Sequence, residues 1–298
     1  MTVFTPASTF GEILDRPGSF VRQNFKLLMT VAVAGNLIAV IPGSISTVGQ
    51  LLVDVLEPGM LAMLLLAGYA GAFVGLVVQT VMFLAVYETI RALLAGEQID
   101  VRTAYRAAIR PGRLMTVVLG WIASVLGLCL CIVPGLVVSV IMALVGPIVM
   151  HESQVFGGAY RRATELLRYR SPGTPFFGST VFRVVALFVL YWVMQVALTA
   201  IAWGPMVGVS SYLGFRAASQ GDAAFMEFEK AIQIMAVVTS VLQAVLGSIA
   251  VVYILTCFTL LFLTAREQME GLAIESALAE RGFELPETDR MIAGPAVS

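Results

Sequence analysis

Cys129, Cys131, Cys257 and His151 are the thiols and the single imidazole of this chain. Cys129-x-Cys131 is neither a zinc-ligand nor a dithiol redox spacing, and one histidine with three dispersed cysteines does not make a zinc cluster. All three cysteines lie in strongly apolar stretches and read as small buried side chains. Glu88 and Glu152 stand just upstream of arginine-rich stretches, and His151 adjoins Glu152. No nucleophile–base pair accompanies them, so they read as ion-pair partners of those arginines rather than as an acid–base couple. No glycine loop of phosphate-binding spacing is present. No catalytic set, metal site or cofactor is therefore expected. Four carboxamides, Asn36, Gln79, Gln195 and Gln243, fall near the middles of long uncharged runs. In lipid such groups either bond between helices, at about 0.6–2 kcal/mol each, or line a path for a polar solute. Arg102, Arg106 and Arg110 share one helical face, and Arg161, Arg162 and Arg168 cluster in a second stretch. Arginines beside a membrane hold anionic headgroups at about 1 kcal/mol per charge, or simply set topology.

The elements that carry these residues follow from composition. Of 298 residues 59% are hydrophobic and 12% charged, with a mean hydropathy of +0.91. Soluble domains carry about 25% charged residues, so the solvent is lipid. A net charge of −1 leaves no nucleic-acid footprint. Uncharged runs place spans at Leu27 to Ser44, Met60 to Tyr87, Val184 to Trp203 and Ala231 to Thr264. The run from Leu114 to Met150 is long enough for two spans, with Pro134-Gly135 as the natural turn. A polar stretch, Gly204 to Lys230, separates the last two spans. Runs of this length without alternation are helical, because lipid leaves only helices or closed barrels. The expectation is an all-α polytopic bundle of six spans in three hairpins. Its segments are an N-terminal cytoplasmic stretch (1–26), a membrane domain (27–270) and a cytoplasmic tail (271–298). Residues 1–20 lack the apolar core of a cleavable signal. Of 18 Lys and Arg, all but Arg216 and Lys230 fall on one side of this arrangement. The positive-inside rule then puts both termini in the cytoplasm of an inner-membrane, multi-pass protein.

Ala104-Tyr105-Arg106 recurs as Ala159-Tyr160-Arg161. Val101, Ala104, Tyr105 and Ala108 align with Phe156, Ala159, Tyr160 and Ala163, at the i, i+3, i+4, i+7 spacing of one helical face. Asp100 is placed to cap the first copy, and Arg161 and Glu165 form an i,i+4 pair in the second. Phe10, Ile13, Leu14 and Pro17 form a degenerate third copy. Each unit is thus a short amphipathic helix followed by a two-span hairpin.

Three stretches carry a resemblance: Leu93-Leu94-Ala95-Gly96-Glu97 before the first copy; Ile132-Val133-Pro134-Gly135-Leu136; and Gly146-Pro147-Ile148-Val149-Met150-His151-Glu152 before the second. With the exit Arg266 and Glu270-Gly271, they make the chain similar to the membrane-domain family named after glycerophosphoryl diester phosphodiesterase. It also resembles related bacterial inner-membrane proteins of unknown function. The aromatic and acidic pair often found before that arginine is missing here. In the phosphodiesterases of that name, catalysis belongs to a separate soluble barrel, so the resemblance implies the membrane fold and not the activity. Three functions remain. The first is non-enzymatic engagement of membrane lipids or other membrane proteins through the basic helices. The second is permease-like handling of a lipid or uncharged solute, which a shared cavity of the four amides would favour. The third is headgroup chemistry, which a cleft gathering Glu88, His151 and Glu152 would favour. Oligomeric state is not set by the sequence.

Overall fold

The computed structural model describes residues 10–51, 58–169, 179–220 and 222–280. Every regular element among them is a helix: α1 (Phe10–Gln23), α2 (Phe25–Leu51), α3 (Pro58–Leu94), α4 (Val101–Ala108), α5 (Pro111–Leu130), α6 (Ile132–His151), α7 (Gly157–Arg168), α8 (Thr180–Gln220) and α9 (Asp222–Glu280). Five helices are long and apolar enough to cross a membrane, and α1 with α2, bent by 90°, make a sixth. The chain is an all-helical integral membrane protein. Arg170, Arg281 and Arg290 lie outside the described residues, as do 1–9 and the tail beyond Glu280; the side chains of Arg216 and Lys230 are likewise not described.

Consecutive long helices pack as antiparallel pairs. Gly75 approaches Ala39 while Gly35 meets Met82, Gly127 faces Gly135 while Gly120 meets Met142, and Trp203 and Gln195 reach Gln243 and Gly247. α9 runs through the middle and touches α8, α2, α1, α3, α6 and α7. The buried core, with Leu28, Met82, Ile90, Leu144, Ile148 and Phe262, gathers toward the arginine-rich ends of the spans. The outward faces carry exposed Trp192, Val196, Leu126 and Leu130, as lipid-facing surfaces do.

Three expectations are corrected. The α5–α6 junction is the single extended residue Cys131 (φ −164°, ψ 134°), not Pro134-Gly135. Pro134 instead lies in the first turn of α6, where its missing donor costs nothing. Gly135 is helical, and a Cβ there would run into the α5 backbone at Leu128. Its use is close approach of two helices, not a special dihedral. Cys129 and Cys131 are consequently exposed at the hairpin tip, and of the three cysteines only Cys257 is buried. Finally, Gly204 and Pro205 do not end the fifth span. α8 runs on to Gln220, and α9 begins at Asp222 and continues past residue 270 to Glu280.

Candidate functional site

The four amides come from four different helices and line one cavity of about 440 Å³, together with Tyr191, Ser240 and Gly247. Asn36 lies ten residues beyond Lys26 and Gln79 twelve before Arg91, so both sit roughly 15–18 Å into the bundle at 1.5 Å per residue. Their roles differ. Gln243 is engaged at both ends: Oε1 accepts from Trp203 Nε1 at 2.9 Å and Nε2 donates to Thr199 Oγ1 at 3.3 Å, tying α9 to α8. Asn36 Nδ2 donates to Ser248 Oγ at 2.7 Å and to the Ala244 carbonyl at 3.4 Å, tying α2 to α9. Gln195 Nε2 donates to Tyr191 Oη one turn earlier, at 3.0 Å, and bridges no helices. Gln79 makes no side-chain hydrogen bond among the described residues.

The basic helices are built alike and finished differently. Asp100 caps α4, its carboxylate accepting from Thr103 N–H at 3.1 Å. The hydrogen bonds from Thr103 hold that carboxyl below its ordinary range. Ala104, Ala108, Ala159 and Ala163 are fully buried. Tyr105 Oη donates to the Val31 carbonyl at 2.8 Å, and Tyr160 Oη to the Thr116 carbonyl at 2.5 Å. In both cases the tyrosine pins its helix to the first helix of the preceding hairpin. Burial pushes the Tyr105 hydroxyl up to about 12 and raises that of Tyr160 as well, so both remain donors. At the degenerate copy the sense reverses: the Leu14 carbonyl accepts from Tyr253 Oη of α9 at 2.9 Å. The turn into α7 uses left-handed Ser153 (φ 54°) and Phe156 (φ 51°). Such backbone persists only where neighbours fix it, and here Phe156 N–H donates to Thr116 Oγ1 at 2.8 Å.

The arginines then part company. Arg102, Arg106 and Arg110 are exposed beside Ile109 along a groove of about 420 Å³, and none forms an ion pair among the described residues. On α7, Arg161 pairs with Glu165 at 3.0 Å. Arg162 is half-buried between Glu152 at 3.2 Å and Glu270 at 2.8 Å, with Arg266 completing the group from α9. Arg168 is exposed and unpaired among the described residues.

Glu152 thus meets an arginine of the basic helix that follows it. Glu88 does not: it accepts two hydrogen bonds from Arg91, three residues on in its own helix, at 2.9 and 3.0 Å, and α4 is not involved. The i,i+3 spacing won because Arg91 is within reach at no loop-ordering cost. His151 and Glu152 line a cleft of about 640 Å³ with Arg161, Arg162, Arg266 and Glu270, but Glu88 is not among its walls. His151 lies against Phe262, ring centres 5.6 Å apart, and its Nε2 is buried without a partner. No group of three metal-ligating side chains occurs among the described residues. The Glu152–Arg162–Glu270–Arg266 group was only half legible in sequence. Arg266 and Glu270 are a local i,i+4 pair on α9, but their meeting with Glu152 and Arg162 joins segments more than 100 residues apart. No protein-family model matches this chain, and no curated protein or solved structure is similar to it.

Proposed function

We propose that this integral membrane protein engages anionic phospholipid headgroups at the cytoplasmic leaflet, chiefly through α4, and has no catalytic role of its own. The observation behind it is the difference between two similar helices. Arg102, Arg106 and Arg110 are exposed and without ion pairs among the described residues, whereas on α7 Arg161 and Arg162 are paired with Glu165, Glu152 and Glu270 and only Arg168 stands exposed without an ion pair. Three exposed arginines contribute up to about 3 kcal/mol toward an anionic leaflet, of which the Asp100 carboxylate near Arg102 offsets a part. Tyr105 fixes the helix against α2, so the arginines are presented on a rigid support. The positive-inside rule supports a cytoplasmic position for this face and for both termini.

The test is lipid retention. R102Q/R106Q/R110Q should lose most co-purifying anionic lipid and bind phosphatidylglycerol vesicles weakly at low salt, where screening is least. R161Q should behave as the parent. Full retention by the folded triple variant overturns the reading. A second reading has its own observation, the shared cavity of the four amides. It favours permease-like handling of an uncharged molecule, and swelling of proteoliposomes in glycerol measures such passage.

A further inference from the structure

The amide-lined cavity carries a more specific chemistry. Among the described residues no charged side chain lines it, and Tyr191 is its one titratable group. An ion brought to this depth would exchange its hydration for a few neutral dipoles and no counter-charge, which costs several kcal/mol. What the lining does offer is hydrogen-bonding capacity the protein leaves over. Asn36 uses its amino group on α9, so its Oδ1 is free of protein donors among the described residues. Gln195 likewise spends Nε2 on Tyr191 and leaves Oε1 open, while Tyr191 accepts that bond and keeps its own O–H. Gln79 is exposed and wholly uncommitted. Asn36 and Gln195 are only partly buried, so a bound molecule can reach all three amides.

The space fits a small molecule. At about 440 Å³ it lies within the roughly 300–1,000 Å³ of ligand sites. Gly247 keeps it open beside Gln195: an added Cβ would stand 3.6 Å from Oε1, and anything longer would fill the gap.

We propose that this cavity is a binding site for an uncharged molecule bearing hydroxyl or amide groups. Its O–H or N–H groups donate to Asn36 Oδ1 and Gln195 Oε1, and its oxygens accept from Gln79 Nε2 and Tyr191 Oη. Gln243 stays outside the contact set because both its ends already clamp α8 to α9. The site is independent of the lipid contacts of α4. It rests on the uncharged-solute reading of the cavity, but not on passage through it.

The experiment uses the full chain in phosphatidylcholine nanodiscs, with Ser240→Cys as a reporter in the cavity wall. Cys129 and Cys131 are replaced by Ser; Cys257 is buried and stays. The labels are neutral methyl methanethiosulfonate and its trimethylammonium-ethyl counterpart, and the competitors are glycerol and urea. The neutral label should outpace the cation by about tenfold or more, from the cost of bringing charge into the site. Molar glycerol or urea should slow it several-fold. Gln79→Leu with Gln195→Leu should abolish that protection while leaving unprotected labelling intact. Val193→Cys, on the exposed face of α8, should show no protection. Absence of protection by both solutes overturns the site, as does equal protection at Val193→Cys or protection that survives loss of both glutamines. Protection without glycerol-driven swelling supports the site and overturns passage.

Discussion

Arg161 and Arg162 are neighbours in sequence and opposites in consequence, which allows a controlled perturbation. The Arg161–Glu165 pair is solvent-facing, with side chains 83% and 46% exposed. An exposed i,i+4 pair contributes about 0.3–0.5 kcal/mol. Arg162 and Glu152 are 15% and 10% exposed, and Arg162 also donates to Glu270 at 2.8 Å. Breaking a buried pair from one side costs about 3–5 kcal/mol, because the abandoned charge stays desolvated. Here Arg266 stands 3.7 Å from Glu152 and takes up part of the charge. The expected loss for Arg162→Gln is therefore about 2–3 kcal/mol, the scale of hydrogen bonds to charged groups. Arg161→Gln should lose no more than about 0.5 kcal/mol. Reversible unfolding in mixed dodecylmaltoside–SDS micelles reads both. Adding Glu152→Gln to Arg162→Gln should restore part of the loss, since the stranded carboxylate is gone, with a coupling of about 1–2 kcal/mol in the double-mutant cycle. Equal costs for the two arginines, or strictly additive losses in the cycle, would refute the assignment of Arg162 as the clamp between α6, α7 and α9.

Three further outcomes are expected. Gly146→Ala should destabilise by about 1–3 kcal/mol in the same assay, because its Cβ would enter the Tyr87 ring, whereas Gly157→Ala, with nothing within 4 Å, should be neutral or stabilising. The Asp100 cap is a depressed carboxyl, so its contribution is complete above the unfolded pKa near 4 and disappears as pH falls through the lower folded value. Backbone amides of α4 should lose protection in that window relative to Asp100→Asn, which caps without titrating; identical pH profiles would remove the linkage. A cysteine at exposed Val133, beside the Cys131 junction and with Cys129 and Cys131 replaced by Ser, should react with an impermeant thiol reagent from outside intact cells. Reaction only after permeabilisation would invert the proposed orientation.

The hairpins were legible in sequence because hydropathy and helix length are tied by the thickness of a bilayer. The α5–α6 turn was misplaced for a physical reason. Pro and Gly mark turns in water, but in a bundle Pro134 fits a first helical turn and Gly135 serves as a contact point for Leu128. The full lengths of α8 and α9 were missed because polar composition was taken to end a span, although a helix can project beyond the bilayer. Asp100 and the Arg161–Glu165 pair could be named in advance because each is a contact within one turn or two. The Arg162–Glu270 and Asn36–Ser248 bonds could not, since each joins residues more than 100 apart, whereas Arg266–Glu270 is a local i,i+4 pair.

The recurring Ala-Tyr-Arg stretch shows which part of a motif encodes architecture. The alanine is buried in both copies, because only a small side chain lets a short helix lie flat on its hairpin. The tyrosine does identical work in both, reaching one backbone carbonyl of the first helix in the preceding hairpin. Those two positions answer to packing. The arginine answers to its surroundings. On α4 no acid pairs with it among the described residues, and Arg106 stands exposed. On α7, Glu165 one turn away takes up Arg161, and the neighbouring Arg162 is drawn into the clamp with Glu152 and Glu270. One helix design, tied down by the same tyrosine, thus yields a charged surface at one hairpin and an internal brace at the next. Which it becomes is decided by where the acidic side chains fall.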